Sequence, residues 1–233
     1  MSTVRFMLLM PWGRVGSNLL LAILRQSAPM KLANENLNGL RTHDEQARWF
    51  EEFYEVEAQA PSRAFIGSKQ STMALRDVPA MTAMMRAAGL RVVRLRRDNL
   101  FKAAASQMRA EQYAEKMRRE TGTASWAIKQ GQPLLGPSVL DPDLLVKRIG
   151  MMERTHGALM QAFAPHEVLD VEYEAINAGL PAVVEQVRRH LGIAQKPFDV
   201  PFVKATPDDL ESAIVNYDAV VAKLTGTPYA RFL

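Results

Sequence analysis

The stretch Val4-Arg-Phe-Met-Leu-Leu-Met-Pro-Trp-Gly-Arg-Val-Gly-Ser-Asn-Leu-Leu-Leu-Ala-Ile-Leu-Arg-Gln26 decides the fold. Val4 to Met10 is a short apolar run closed by the turn signal Pro11-Trp12-Gly13, so it reads as a buried strand. Ser17 to Gln26 is apolar on most sides, which predicts a well-buried helix. Strand, glycine-bearing turn and helix open an α/β fold. Such a turn offers backbone N–H groups to an anion, and the helix dipole favours negative charge at the same point. It is not a Walker A loop, because the Gly-Lys-Ser/Thr ending is missing. The nearest cation, Arg14, precedes the second glycine, and its planar donors suit phosphate or sulfate oxygens. Taken alone, the pattern equally fits a turn whose glycines only satisfy local dihedrals.

Working outward, His43 to Ala60 has helical periodicity and Pro61 ends it. Ala64 to Gly67 reads as a second short strand, and Val78 to Ala88 as a helix closed by Gly89. Leu90 to Leu95 is a strand. Asp98 to Arg119 is a long helix with Asp98 placed to cap it. Thr121 to Asp141, rich in Gly and Pro, reads as a lid-like loop. Asp143 to Phe163 is helical, Glu167 to Val171 a strand, and Pro181 to Leu191 a helix begun by proline and followed by Gly192. The alternation predicts an α/β protein with a central parallel sheet flanked by helices on both faces. With no linker tract and no internal repeat, one domain over residues 1–233 is expected.

The chain has no cysteine, which excludes disulfides, thiolate catalysis and Cys-ligated metals. Arg5 to Met10 is too short to span a membrane and lacks a signal-peptide pattern, so a cytoplasmic protein with no membrane span is expected. The net charge is a mild +4. Arg91-Val-Val-Arg-Leu-Arg-Arg97 concentrates four arginines, which fits a phosphorylated ligand, an acidic polymer or a solvated strand end. None of His43, His156, His166 and His190 lies in a motif, and no His/carboxylate spacing suggests a metal.

Two elements together carry a resemblance. Arg14-Val-Gly-Ser-Asn-Leu-Leu20 is similar to the 5′-phosphosulfate loop of the sulfotransferases, where a Lys or Arg precedes Ser-Gly-Thr/Ser-Thr. It is closest to the bacterial carbohydrate and trehalose branch, and Val15 stands where the family usually has Ser. Leu95-Arg-Arg-Asp-Asn-Leu-Phe-Lys-Ala-Ala-Ala-Ser106 resembles the family's second anion site, an Arg at a strand end and a Ser on the following helix. The resemblance implies a P-loop-like sulfotransferase fold and a sulfuryl donor, 3′-phosphoadenosine-5′-phosphosulfate (PAPS), leaving as PAP, without a metal. It assigns Arg14, Val15, Gly16, Ser17, Asn18 and Leu19 to the phosphosulfate. Arg97 and Ser106 go to the 3′-phosphate, with Arg96 as competitor for Arg97, and Lys204 covers that phosphate.

Transfer needs a base to take the acceptor's proton. In Lys31-Leu-Ala-Asn-Glu-Asn-Leu37, Glu35 matches the glutamate that the bacterial branch is implied to use. A solvated loop carboxylate is the alternative reading. Cytosolic members use a His within Lys-Thr-His. The comparable stretch here is Gly67-Ser-Lys-Gln-Ser-Thr72, with Ser71 where that His would fall and Lys69 retained to neutralise the bridging oxygen. Val168-Leu-Asp-Val-Glu-Tyr-Glu174, Lys204-Ala-Thr206 and the region from Asn216 to Leu233 resemble the carboxyl-terminal part of the family. Branch resemblance implies a carbohydrate or glycolipid hydroxyl as acceptor. Trp126 either stacks on a sugar ring or anchors a loop. Two rivals remain, a P-loop-like small-molecule kinase and a polyanion- or nucleic-acid-binding protein using the arginine cluster. The oligomeric state is not encoded in these patterns.

Overall fold

The computed structural model describes residues 3–56, 64–124, 126, 128–132, 134–163 and 168–233. The chain forms two compact units, one from Met1–Arg96 with Thr155–Asp199, the other from Arg97–Arg154 with Val200–Leu233.

The first unit is built on a five-stranded parallel sheet. Its strands are β1 (Val4–Met10), β2 (Met30–Asn34), β3 (Phe65–Ser71), β4 (Arg91–Arg96) and β6 (Val168–Glu172), in the spatial order β2-β3-β1-β4-β6. Helices α1 (Ser17–Arg25), α2 (His43–Glu51), α3 (Val78–Ala87) and α6 (Tyr173–Leu191) connect or follow them. The predicted α/β class with a central parallel sheet flanked by helices is therefore the one observed. Side chains alternate along a strand, so β1 divides its residues between two faces. Met7 and Leu9 join Ile66 of β3, Phe50 of α2, Met81 and Met85 of α3, and Leu159 in one buried cluster. Phe6, Leu8 and Met10 take the other face and are equally buried. Gly67 sits opposite Phe6 in the β1–β3 register, and the Phe6 ring occupies the place where a Gly67 side chain would be, with Cζ only 2.2 Å from an ideal Cβ.

Several expectations are corrected in detail. β2 is a strand beyond those expected; it pairs with β3 from Met30↔Phe65 to Asn34↔Lys69. It escapes notice because Met30-Lys-Leu-Ala-Asn34 neither alternates nor carries turn punctuation. β3 runs on to Ser71 rather than stopping at Gly67, because the polar residues Ser68, Lys69 and Gln70 that break its apolar pattern are buried in hydrogen-bond networks. The C-terminal helix of this unit starts at Tyr173. Its backbone is non-helical at Gly179, so Pro181 opens only the second stretch, and Gly192 closes it in the left-handed region as expected. The end of the helix read over His43 to Ala60, and the start of the strand read from Glu167, fall outside the described residues.

The second unit centres on α4 (Leu100–Thr121), capped by Asn99 rather than Asp98, with the Asn99 side chain accepting from the Lys102 amide. It also holds β5 (Ile128–Lys129), the first part of α5 (Pro142–Ala162), β7 (Phe202–Val203) and α7 (Tyr217–Thr225). The loop expected from Thr121 to Asp141 is thus not wholly irregular, since β5 pairs antiparallel with β7. Two residues are too few to show a strand period, and their partner lies far along the chain. Arg109, buried on α4, donates to the Ser138 hydroxyl (3.2 Å), the Leu135 carbonyl (3.3 Å) and the Ala213 carbonyl, fastening loop segments to the helix. Among the described residues, no helix is long and apolar enough to cross a membrane.

Candidate active site

Parallel strands place all their carboxyl ends on one edge, where open α/β sheets bind ligands. Leaving β1 at that edge, the chain turns with Arg14 at φ 68° and Gly16 at φ 82°, both in the left-handed region. For Arg14 this conformation is costly and persists only where the surroundings impose it. Gly16 has a second reason to lack a side chain, since a Cβ there would lie 2.8 Å from Ile176 Cδ1. Gly16 is also the cap of α1, yet no side chain caps that helix and its first turn carries no acid. The N–H groups at the start of α1 therefore keep the features that suit an anion. Ser17, at the first helical position, is buried, as are Val15 and Leu20; Asn18 and Leu19 are half-buried.

The adjoining strand ends bring three of the predicted residues together. Lys69 of β3 is 3% exposed, and its Nζ lies 2.6 Å from Glu35 Oε1 and donates to Asn18 Oδ1, also at 2.6 Å. Glu35 follows β2 directly. Its amide donates to the Lys69 carbonyl (2.8 Å), which carries the strand pairing one residue past β2. Its φ of 55° then swings the chain into a 3-10 turn, Asn36–Gly39. The carboxylate is about one-third exposed, so it meets solvent on one side and a buried cation on the other. Ser71 serves locally, accepting from the Met73 amide and donating to the Pro11 carbonyl.

Sequence reasoning missed the other side of Glu35. Asn38 Nδ2 donates to Glu35 Oε2 (2.9 Å), and Gln70, 1% exposed, donates to Asn38 Oδ1 (2.8 Å). The available signal was the polar run Ser68-Lys-Gln70 inside a buried strand, since buried polar groups are hydrogen-bonded.

The second predicted anion site lies in the second unit. Ser106 on α4 is buried and its hydroxyl accepts from Thr206 (3.4 Å). Lys204 pairs with Asp208 at 2.5 Å. The Asp208 carboxyl is held below its ordinary value, first by the Lys204 hydrogen bond and further by the charges of Lys204, Lys102 and Arg97. Arg97 is itself 6% exposed. Its competitor Arg96 belongs to the first unit, where it donates to Glu172 across the β4–β6 pairing. Thr206, Lys102 and Asp208 had not been picked out for this cluster. Asp170, on β6, is engaged by Arg94 through two hydrogen bonds of 2.6 and 2.8 Å. Trp126 is 47% exposed.

Among solved structures, the chain is similar to a sulfotransferase from Alicyclobacillus acidocaldarius, at 14% identity over 94% of this chain and 93% of that one, with a TM-score of 0.46. It is also similar to mouse sulfotransferase SULT7A1 complexed with PAP (12% identity, 98% and 87%, TM-score 0.47). A third is the sulfotransferase domain from the curacin biosynthetic pathway (15% identity, 100% and 84%, TM-score 0.44). All three are sulfotransferases. No protein-family model matches the chain, and no curated protein matches it.

Proposed function

We propose that this chain is a PAPS-dependent sulfotransferase acting on a hydroxyl acceptor of carbohydrate or glycolipid type. The observation that carries the reading is the Asn18–Lys69–Glu35 constellation beside the left-handed turn at Arg14 and Gly16. It joins an anion-binding helix start, a buried cation and a half-buried carboxylate on one sheet edge.

The reaction is an in-line displacement at sulfur. The acceptor oxygen forms the new S–O bond while the bond from sulfur to the bridging phosphate oxygen breaks, leaving PAP. Arg14 and the N–H groups of Gly16, Ser17 and Asn18 hold the phosphosulfate and stabilise the charge developing on the leaving phosphate. Val15 and Leu19 shape that loop. Lys69 supplies a cation at the bridging oxygen, and Glu35 takes the acceptor's proton. Arg97 and Ser106, with Lys204, bind the 3′-phosphate that distinguishes this donor from ATP, while the pairing of Arg96 with Glu172 favours Arg97 for that task. No step calls for a metal. A cytoplasmic location goes with the same reading.

Thermal stabilisation tests it. The reading expects adenosine 3′,5′-bisphosphate to raise Tm more than ADP with Mg²⁺ or a short oligonucleotide. Greater stabilisation by ADP with Mg²⁺ would favour the kinase and overturn the reading; greater stabilisation by the oligonucleotide would favour the polyanion-binding alternative.

A further inference from the structure

We propose that Asn38 and Gln70 are positioning residues that hold the Glu35 carboxylate in the orientation its proton-accepting role requires; the inference rests on that role. Lys69 and Gln70 are neighbours on β3, so strand alternation sends them to opposite faces of the sheet. Lys69 reaches Glu35 Oε1 from one side, and Gln70 works through Asn38 on Oε2 from the other.

The direction of this chain of hydrogen bonds is forced by its first member. The Leu37 amide lies 3.2 Å from Gln70 Oε1, and a backbone N–H can only donate. That fixes the Gln70 oxygen towards Leu37 and turns its NH₂ towards the Asn38 oxygen (2.8 Å) and the Ser71 carbonyl (3.3 Å). The Asn38 oxygen being engaged, its NH₂ faces Glu35 Oε2 at 2.9 Å. Two side-chain amides whose orientation is otherwise a matter of assignment are thereby settled without appeal to Glu35 itself.

The turn carrying Glu35 is anchored by the same means. Leu37 is fully buried, and the fully buried Gln46 donates to its carbonyl (3.1 Å) and to the Ala74 carbonyl (2.7 Å), while accepting from the Arg76 amide (3.0 Å). Two buried glutamines thus grip the N–H and C=O of one residue, two positions beyond a Glu whose backbone sits in the left-handed region. A surface turn needs no such anchoring, whereas a reacting carboxylate must be held to within a fraction of an ångström by its supporting shell.

Two measurements test the proposal, one independent of turnover. In ¹⁵N spectra, the Asn38 side-chain amide peaks, assigned by their loss in Asn38→Ala, should move on Glu35→Gln and again on Gln70→Met. Peaks unmoved by both changes overturn the proposal. For turnover, sulfuryl transfer from labelled PAPS to water and to trehalose is followed. Asn38→Ala should lower kcat about tenfold while leaving the bisphosphate Kd within about twofold, and should cost less than about twofold in a Glu35→Gln background. An equal loss in both backgrounds, or a loss in bisphosphate affinity alone, overturns it. If Glu35→Gln itself leaves turnover unchanged while the amide peaks still move, the base assignment falls and the positioning role falls with it, although the hydrogen-bond chain stands. Because Asn38 is exposed, Asn38→Ala should fold; should Gln70→Met unfold, the Asn38 and Glu35 variants alone decide the matter.

Discussion

The surroundings of Glu35 and those of Asp208 are both acid–base clusters, and they are built in opposite ways. At Glu35, the direct partner Lys69 and the residue behind Asn38, Gln70, are almost wholly buried. Each is fixed by a further hydrogen bond, Lys69 to Asn18 and Gln70 to the Leu37 amide; only Asn38, between Gln70 and the carboxylate, is exposed. At Asp208, the Lys204 side chain is 33% exposed and the carboxylate 65%. Buried groups with directional bonds keep their geometry and are screened little by salt, whereas exposed pairs exchange partners readily and weaken as ionic strength rises. The first arrangement suits chemistry at a reacting atom. The second, under the proposed reading, suits capture and release of a charged group.

The sharpest way to break this contrast is at the rigid end. Arg14→Ala should lower turnover by about 10²–10³-fold, measured as consumption of labelled PAPS, because the leaving phosphate loses a charged donor. Activity within a few-fold of the parent would remove Arg14 from the site. Glu35→Gln keeps the shape but not the basicity, and its one oxygen can accept from only one of Lys69 and Asn38. It should cost about 10²-fold in kcat with the bisphosphate Kd unchanged, and a change confined to Kd would reassign the residue to donor binding.

A smaller effect is expected at the exposed cluster. Lys204→Ala should weaken bisphosphate binding roughly three- to tenfold and flatten its dependence on salt, as isothermal titration at two ionic strengths would register. A loss that does not vary with salt would mean that Lys204 is as buried and committed in the bound state as Lys69.

The smallest change separates scaffold from site. Tyr54 is fully buried and donates to the Phe6 carbonyl at 2.8 Å, with Ser68 Oγ at 2.7 Å. Burial raises its phenol well above the ordinary value of 10.0. Below about that pH the phenol is protonated whether the chain is folded or not, and this contribution is constant. Above it the unfolded chain ionises first, so stability falls as pH rises. Tyr54→Phe should cost about 1 kcal/mol at neutral pH, and part of the alkaline loss should vanish in denaturant titrations at pH 9 to 11. An unchanged alkaline slope would show that other groups govern it.

How far the site was legible follows the same division. Arg14, Gly16 and Ser17 announce themselves because a turn and a helix start are local events, written in consecutive residues. Glu35 and Lys69 were singled out by resemblance, but their contact, and Asn18 as the third member, could not be read, since the three belong to segments joined only by strand pairing. Asn38, Gln70 and Gln46 gave no signal beyond being polar residues amid apolar ones.

By itself the sequence determined the α/β class, the main helices, the positions of β1, β4 and most of β6 with the start of β3, and the glycine-bearing turn after β1. Apolar runs, helical periodicity, glycine stops and proline punctuation act over a few residues and need no partner. Only the tertiary structure decided that Met30–Asn34 is a strand, that β3 continues through its polar residues to Ser71, and that Arg96 turns to Glu172 while Lys69 turns to Glu35. Those outcomes depend on which chains lie side by side, because a buried polar group is tolerable only where a distant segment supplies its hydrogen-bond partner.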